Sequence, residues 1–325
     1  MGLIENPKTY TGRDLETIFF RPMFTGANAE ELGIRVLYNM PVPTTIQLWS
    51  PQSTILKEYS GGWTGGDSAN RMQKTIDMSK IKAEASFSAE SYFQQVYELI
   101  VGRADVNLDD LTGTELEQAE TEMFRKAIAE NLRVLMWIGD KGALKYANIN
   151  GFLTLAYTYA DETDLPVVDV AEAPSKDNIL DIFKRMWQSA SPELKALKSE
   201  GHLAFYVTSD VCDAYEEYLD SCGSDGAYTD LLSGRRELTY HGIKIVDMGI
   251  SQYMPLPYND QSTHCLLTDS RNLALAVNTA DMPGSEVRMW YNPDEMENRQ
   301  RATFLVGAEI LDENLLVLAR FEQSA

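Results

Sequence analysis

From Thr114 to Ile138 the sequence runs without a proline or a glycine. Leu116, Ala119, Met123, Ala127, Val134 and Ile138 fall near one stripe at helical spacing, and Phe124, Ile128, Leu132 and Leu135 widen it. Glu117, Glu120, Glu122, Arg125, Lys126, Glu130 and Arg133 cover the remaining face. Thr112-Gly113-Thr114-Glu115 reads as a capping box, in which a Thr hydroxyl and a Glu carboxylate satisfy orphan amides reciprocally. Gly139 is expected to supply the stop. At 1.5 Å per residue this is a rod of roughly 36 Å, long enough to organise a whole domain.

The second constraint is an extended stretch, residues 34–87. Strand-like runs at Ile34–Asn39, Thr44–Trp49, Ile55–Tyr59 and Gln73–Met78 flank Ser60-Gly61-Gly62-Trp63-Thr64-Gly65-Gly66-Asp67-Ser68. That tip is too poor in apolar groups to bury a core of its own. Exposed strand edges invite pairing with other chains and are normally blunted. A long β-arm of this kind is expected to be received by another copy of the chain.

Among 325 residues, 28 Lys+Arg against 49 Asp+Glu give a net charge of −21. Such a surface repels nucleic acid and anionic membranes, which excludes sequence-reading DNA or RNA binding as the expected role. The three cysteines, Cys212, Cys222 and Cys265, are too few and too scattered for a disulfide framework and read as reduced, buried thiols. Residues 1–7 carry no signal-peptide pattern, and no apolar run reaches membrane-spanning length.

The remainder alternates strands and helices, giving an α+β class with an α/β unit. Residues 1–33 read as an extended arm with a short amphipathic piece, Leu15, Ile18, Phe19 and Met23, limited by Pro22. A helix is expected from Ser88 to Val101. Gly151–Tyr159 reads as a strand. Ser175–Ser189 reads as a helix with Ile179, Ile182, Phe183 and Met186 inward. His202–Thr208 reads as a buried strand, and Ser209–Leu219 as a helix capped by Ser209 or Asp210. Further strands are expected at Tyr240–Asp247, Cys265–Asp269 and Leu273–Val277, with turns at Pro255, Pro257 and Asn259-Asp260. The chain should close with long antiparallel strands at Val287–Tyr291, Arg301–Ile310 and Leu315–Arg320, the last two joined by Asp312-Glu313-Asn314.

Catalytic patterns are weak. Asp105-Val106-Asn107-Leu108-Asp109-Asp110 starts like a calcium loop. Asp110 stands where that loop needs Gly, and Leu116 where it needs a bidentate Glu. Acidic residues before a helix also favour its positive end. His264 and Cys265 are adjacent, so on a strand they point to opposite faces. Cys212 and Cys222 lack metal-ligand spacing. Gly61–Gly66 lacks the Lys-Ser/Thr of a nucleotide loop. No catalytic residue, metal or cofactor is therefore expected. Trp63 reads as an anchor for a partner's pocket.

Taken in order, these elements resemble the tailed-phage (Caudoviricetes) major capsid proteins of the Hong Kong 97-like fold, a shell fold shared with encapsulin nanocompartments. The resemblance is carried by Glu130–Asp140 at the end of the long helix, then Asn178–Phe183 and Tyr206–Val211. It continues through Tyr240–Val246, Met254-Pro255, Leu266–Leu273 and Val306–Glu309. It implies four parts: an N-terminal arm (1–33), an extended β-arm or E-loop (34–80), a peripheral domain (81–164 and 285–325) with a spine helix and long β-sheet, and an axial α/β domain (165–284). It implies self-assembly into hexamers and pentamers of an icosahedral phage head enclosing double-stranded DNA, without sequence-specific binding and with no membrane. A virion capsid put together in a host bacterial cytoplasm follows, with a portal and decoration proteins as further partners. Only residues 1–33 precede the β-arm, so a separate scaffolding protein is implied, unless the chain is already the processed form. The assembly contacts expected are Trp63, Gly62, Gly65, Lys57, Phe19 and Phe20. The alternatives are an encapsulin-like nanocompartment shell and, in a different class, a cytosolic Cys/His-dependent enzyme.

Overall fold

A computed structural model describes residues 29–40, 44–51, 69–88, 115–222, 238–253, 262–278 and 287–321. The expected strand at Ile55–Tyr59, the Ser88–Val101 helix beyond Ser88 (itself the last residue of a strand), the Asp105–Asp110 loop and the turns at Pro255, Pro257 and Asn259-Asp260 lie outside these residues. In chain order the strands are β1 (Arg35–Leu37), β2 (Thr44–Pro51), β3 (Ala69–Ile76), β4 (Ser79–Ser88), β5 (Val167–Val170), β6 (Leu203–Val207), β7 (Thr239–Tyr240), β8 (Ile243–Asp247), β9 (Cys265–Asp269), β10 (Leu273–Val277), β11 (Arg288–Asn292), β12 (Glu297–Ile310) and β13 (Leu316–Phe321). The helices are α1 (Glu115–Ile138), α2 (Phe152–Glu162), α3 (Ile179–Ser189), α4 (Pro192–Ala196) and α5 (Ser209–Ser221).

Helix α1 is the long rod the sequence predicts, at 24 residues. From Leu132 to Ile138 every residue is buried, whichever face it occupies, so this end passes through the core. Trp137 packs against Phe152 and Tyr206 with ring centroids 5.4 and 5.3 Å apart. The helix stops at Ile138, just before Gly139, as expected, and Gly139 is not left-handed. Gly139 still donates to Leu135 O, and its role is proximity: a Cβ there would lie 2.5 Å from Ile149 O. Gly151 answers it from the other side, donating to Gly139 O at 2.7 Å, where a Cβ would meet the Trp137 carbonyl at 2.6 Å. Two backbones touch here, and only glycine leaves room.

The stretch read as a strand at Gly151–Tyr159 is helix α2. Residues Phe152 to Tyr157 are all buried. An apolar run covered on every side has no period to read, so strand and helix look alike in sequence.

Three sheets follow. The first has the order β1-β10-β12-β11, with β4 on the other edge of β12. β4 and β12 pair antiparallel from Ser79↔Val306 to Ser88↔Glu297. Alternation along this ladder turns Ile81, Ala302, Phe304 and Val306 into the core. Lys80, Lys82, Glu84, Arg299, Arg301 and, on β11, Arg288 and Trp290 occupy the opposite face. The second sheet has the order β5-β13-β9-β6-β8-β7. Its central strands are apolar on both faces because both are covered. Leu203, Phe205, Val207, Leu267 and Val317 pack with α3 and α5, while Ala204, Tyr206, Leu266 and Leu318 pack with α1, α2 and the first sheet. The third sheet is β2 paired with β3 alone.

Four expectations are corrected. The extended stretch 34–87 is not one arm, since β1 pairs in parallel with β10 and β4 with β12, which leaves only β2–β3 as a separate ladder. Tyr240–Asp247 is a hairpin, β7–β8, turned by His241 (φ 51°) and Gly242 (φ 79°). β12 and β13 are not a hairpin; the chain leaves the first sheet at Ile310 and enters the second at Leu316. Helix α5 is not capped by Ser209 or Asp210. Its N-cap residue is Thr208, whose side chain makes no capping bond, and the Ser209 hydroxyl donates to Asp247 Oδ2 at 2.8 Å.

Candidate assembly elements

The ladder of β2 and β3 runs in register from Thr44↔Ile76 to Pro51↔Ala69. A two-stranded ribbon is marginal in water unless something packs on it. What holds this one is its root. Ile76 is fully buried and joins Met78, Ala274, Ala276 and Leu311 in a small separate core. Gly307 on β12 admits the passing backbone, since a Cβ there would lie 2.5 Å from Asp77 O. An isolated glycine inside a strand pattern signals such an approach, so this contact was open to sequence reading. Asp77 also pairs with Lys141, from the excursion between α1 and α2.

Two residues from Ile76 on β3, Lys74 reaches a polar cage. Its Nζ lies 3.0 Å from Glu313 Oε1, 3.8 Å from Glu309 Oε1 and 4.4 Å from the Tyr159 ring centre. The Tyr159 hydroxyl donates to Glu309 Oε1 at 2.5 Å. Burial would lower the Lys74 ammonium, but its bonds with Tyr159 and Glu313 outweigh it and hold the group above its ordinary 10.5. Burial pushes the Glu309 carboxyl above its ordinary 4.5, a rise that the Tyr159 bond and Lys74 only partly offset. Tyr159 is pushed up to about 12, by burial first and by Glu309 second. None of these four residues was singled out from sequence. They lie on β3, α2, β12 and the turn after it, and no local motif links them.

The residues expected to make assembly contacts, Trp63, Gly62, Gly65, Lys57, Phe19 and Phe20, lie outside the described residues. In sequence, Lys57, Gly62, Trp63 and Gly65 lie between β2 and β3.

The thiols and histidines take no shared site. Cys265 Sγ lies 3.4 Å from Met186 Sδ, in the core beside α3. His264 Nδ1 lies 2.9 Å from the Tyr157 hydroxyl, on the side of α2. Burial pushes both Cys212 and Cys265 thiols well up, and neighbouring carboxylates add to the rise. These are packing thiols, whereas Cys222 is exposed. Among the described residues no group of three or more His, Cys, Asp or Glu could hold a metal ion. No described helix is long and apolar enough to cross a membrane.

No family model matches the sequence, and no curated protein matches it either. Solved structures do. The capsid of a native GTA particle is similar at a TM-score of 0.59 and 14% identity, over 99% of this chain and 96% of that one. The capsid of Myoviridae phage XM1 is similar at 0.54 and 11%, over 98% of each chain. This is a phage-capsid fold. A chain of the satellite phage P4 procapsid, a particle that includes a size determination protein, shares it at 0.52 and 11% identity, over 89% of this chain and 94% of that one. The similarity to the native GTA capsid chain spans 99% of this chain.

Proposed function

We propose that the chain is the major capsid protein of a tailed phage, building hexamers and pentamers of an icosahedral head around double-stranded DNA. One observation carries this reading: the similarity to the GTA capsid chain covers 99% of this chain and 96% of that one. The net charge of −21 supports it, because a wall of this sign lets packaged DNA slide. In this reading α1 is the spine helix and the β2–β3 ladder the base of the E-loop. The first sheet with α1 and α2 forms the peripheral domain. The second sheet with α3, α4 and α5 forms the axial domain. The boundaries 81–164 with 285–325, and 165–284, are drawn differently here. β10 goes with the peripheral sheet and β13 with the axial one, following their pairing. The chain is not an enzyme in this reading, and its partners are its own copies, a scaffolding protein, a portal and decoration proteins.

Electron microscopy of the protein expressed with and without a candidate scaffold tests the proposal. Shells, tubes or free capsomers support it, and a lasting monomer at high concentration overturns it. Small shells loaded with an enzyme and free of DNA would shift the reading to an encapsulin-like compartment. Deleting Ser60–Ser68 should leave the subunit folded and make shells fewer or weaker.

A further inference from the structure

We propose that the root of the arm carries a clamp. Lys74, caged by Tyr159, Glu309 and Glu313, sets the direction of the β2–β3 ladder, and releasing it lets the ladder swing about Ile76–Met78. The inference rests on reading the ladder as the arm.

The geometry separates two jobs at the root. Ile76 and Met78 are buried in the small core and fix where the arm is attached. Thr75 and Asp77 point the other way and are exposed. Two residues beyond Ile76, on the same side of β3, stands Lys74, the ladder's charged hold on the body. A buried apolar contact is non-directional and tolerates rotation. An ammonium held by two carboxylates and a ring face has one favoured position. The core therefore acts as the pivot and the cage as the stop.

The cage is built from parts that otherwise do not meet. Tyr159 comes from α2, Glu309 from the end of β12, and Glu313 from the turn between the two main sheets. Their polar atoms converge on one side chain 85 to 239 positions away in sequence. Glu309 is the weak member. Its carboxyl is 3.8 Å from the ammonium, bonds to Tyr159, and takes a proton more readily than an ordinary glutamate. Lys74, Tyr159 and Glu313 are the titratable groups that face it. Protonating Glu309 leaves the ammonium with Glu313 as its one charged partner in the cage, beside the Tyr159 ring.

The test is a spin-label distance on the full-length chain in solution, before any assembly. Labels go on Thr45→Cys in the arm and Gln188→Cys in α3, both exposed, in a Cys222→Ser background. A single narrow distance is expected for the parent and for Lys74→Arg. Lys74→Met should lose that narrow peak and give a broad or second distance, with helix content unchanged. Glu313→Gln and Tyr159→Phe are read in the same way should Lys74→Met fail to fold. A narrow, unshifted distance in folded Lys74→Met, or in both of the other variants, overturns the clamp even if shells form. Absence of shells from the parent overturns the capsid reading and leaves the distance result standing.

Discussion

Trp137 shows how much of the fold turns on single side chains. It is fully buried between Phe152 and Tyr206, and the Tyr206 hydroxyl in turn donates to Leu32 O at 2.8 Å. Trp137→Ala should cost about 4 kcal/mol in denaturant unfolding, the usual loss for a large core aromatic. Trp137→Phe should cost less, because it keeps an aromatic ring against Phe152 and Tyr206 and loses only part of the volume, along with an indole N–H that has no partner among the described residues. Equal losses would mean the site collapses around either side chain. Asp269 gives a pH test. Burial alone would raise its carboxyl, but the Arg271 guanidinium and amide outweigh that and hold it below its ordinary 3.8. A lowered carboxylate contributes stability in full above the ordinary range and loses it as pH falls through the depressed value. Asp269→Asn should therefore cost about 2 kcal/mol at neutral pH, where a buried charge-assisted bond is lost. The gap to the parent should close in strong acid. A gap constant across that range would place the effect in packing. The thiols offer a third check: in the native chain Cys222 alone should react with a maleimide, and Cys212 and Cys265 only after denaturation.

At the scale of elements, legibility followed periodicity. Helices α1 and α3 were readable because each keeps a polar side: Ile179, Ile182, Phe183 and Met186 are buried as their spacing requires. Helix α2 was misread because its buried run has no polar side. β9 and β10 were placed to the residue, being short apolar runs bounded by polar ones. The β7–β8 hairpin was missed because His-Gly replaces the commoner Asn-Gly at a turn that needs positive φ twice. The Lys74 cage could not have been read, since nothing local joins Lys74 to Tyr159, Glu309 and Glu313. Gly307 was the one sequence signal nearby. Gly307→Ala should be destabilising by about 1–3 kcal/mol, as overpacking against backbone is. It should also loosen the arm in the spin-label measurement. Loss of stability with an unmoved arm would separate the backbone approach from the pivot.

For the whole molecule, a net charge of −21 makes copies repel one another at long range. The proposed assembly should therefore quicken several-fold as salt is raised from dilute to physiological strength, where the screening length falls to about 8 Å. Light scattering against ionic strength reads this directly. Slower assembly with added salt would mean that attractive charge pairs between copies dominate.

The proposed division into peripheral and axial parts has a limit set by Asn272. Besides the passage from β4 to β5 through α1 and α2, the chain steps directly between the two main sheets twice, from β9 to β10 and from β12 to β13. Buried Asn272 joins the crossings: its Nδ2 donates to Asp312 O and its Oδ1 accepts from Asp312 N, both at 2.8 Å. Strands of the second sheet also send alternate residues into the core of the first. Neither part can lose its packing without exposing the other. In a scanning calorimeter the subunit should absorb heat in one peak, with van't Hoff and calorimetric enthalpies equal, although the backbone is drawn as two bodies.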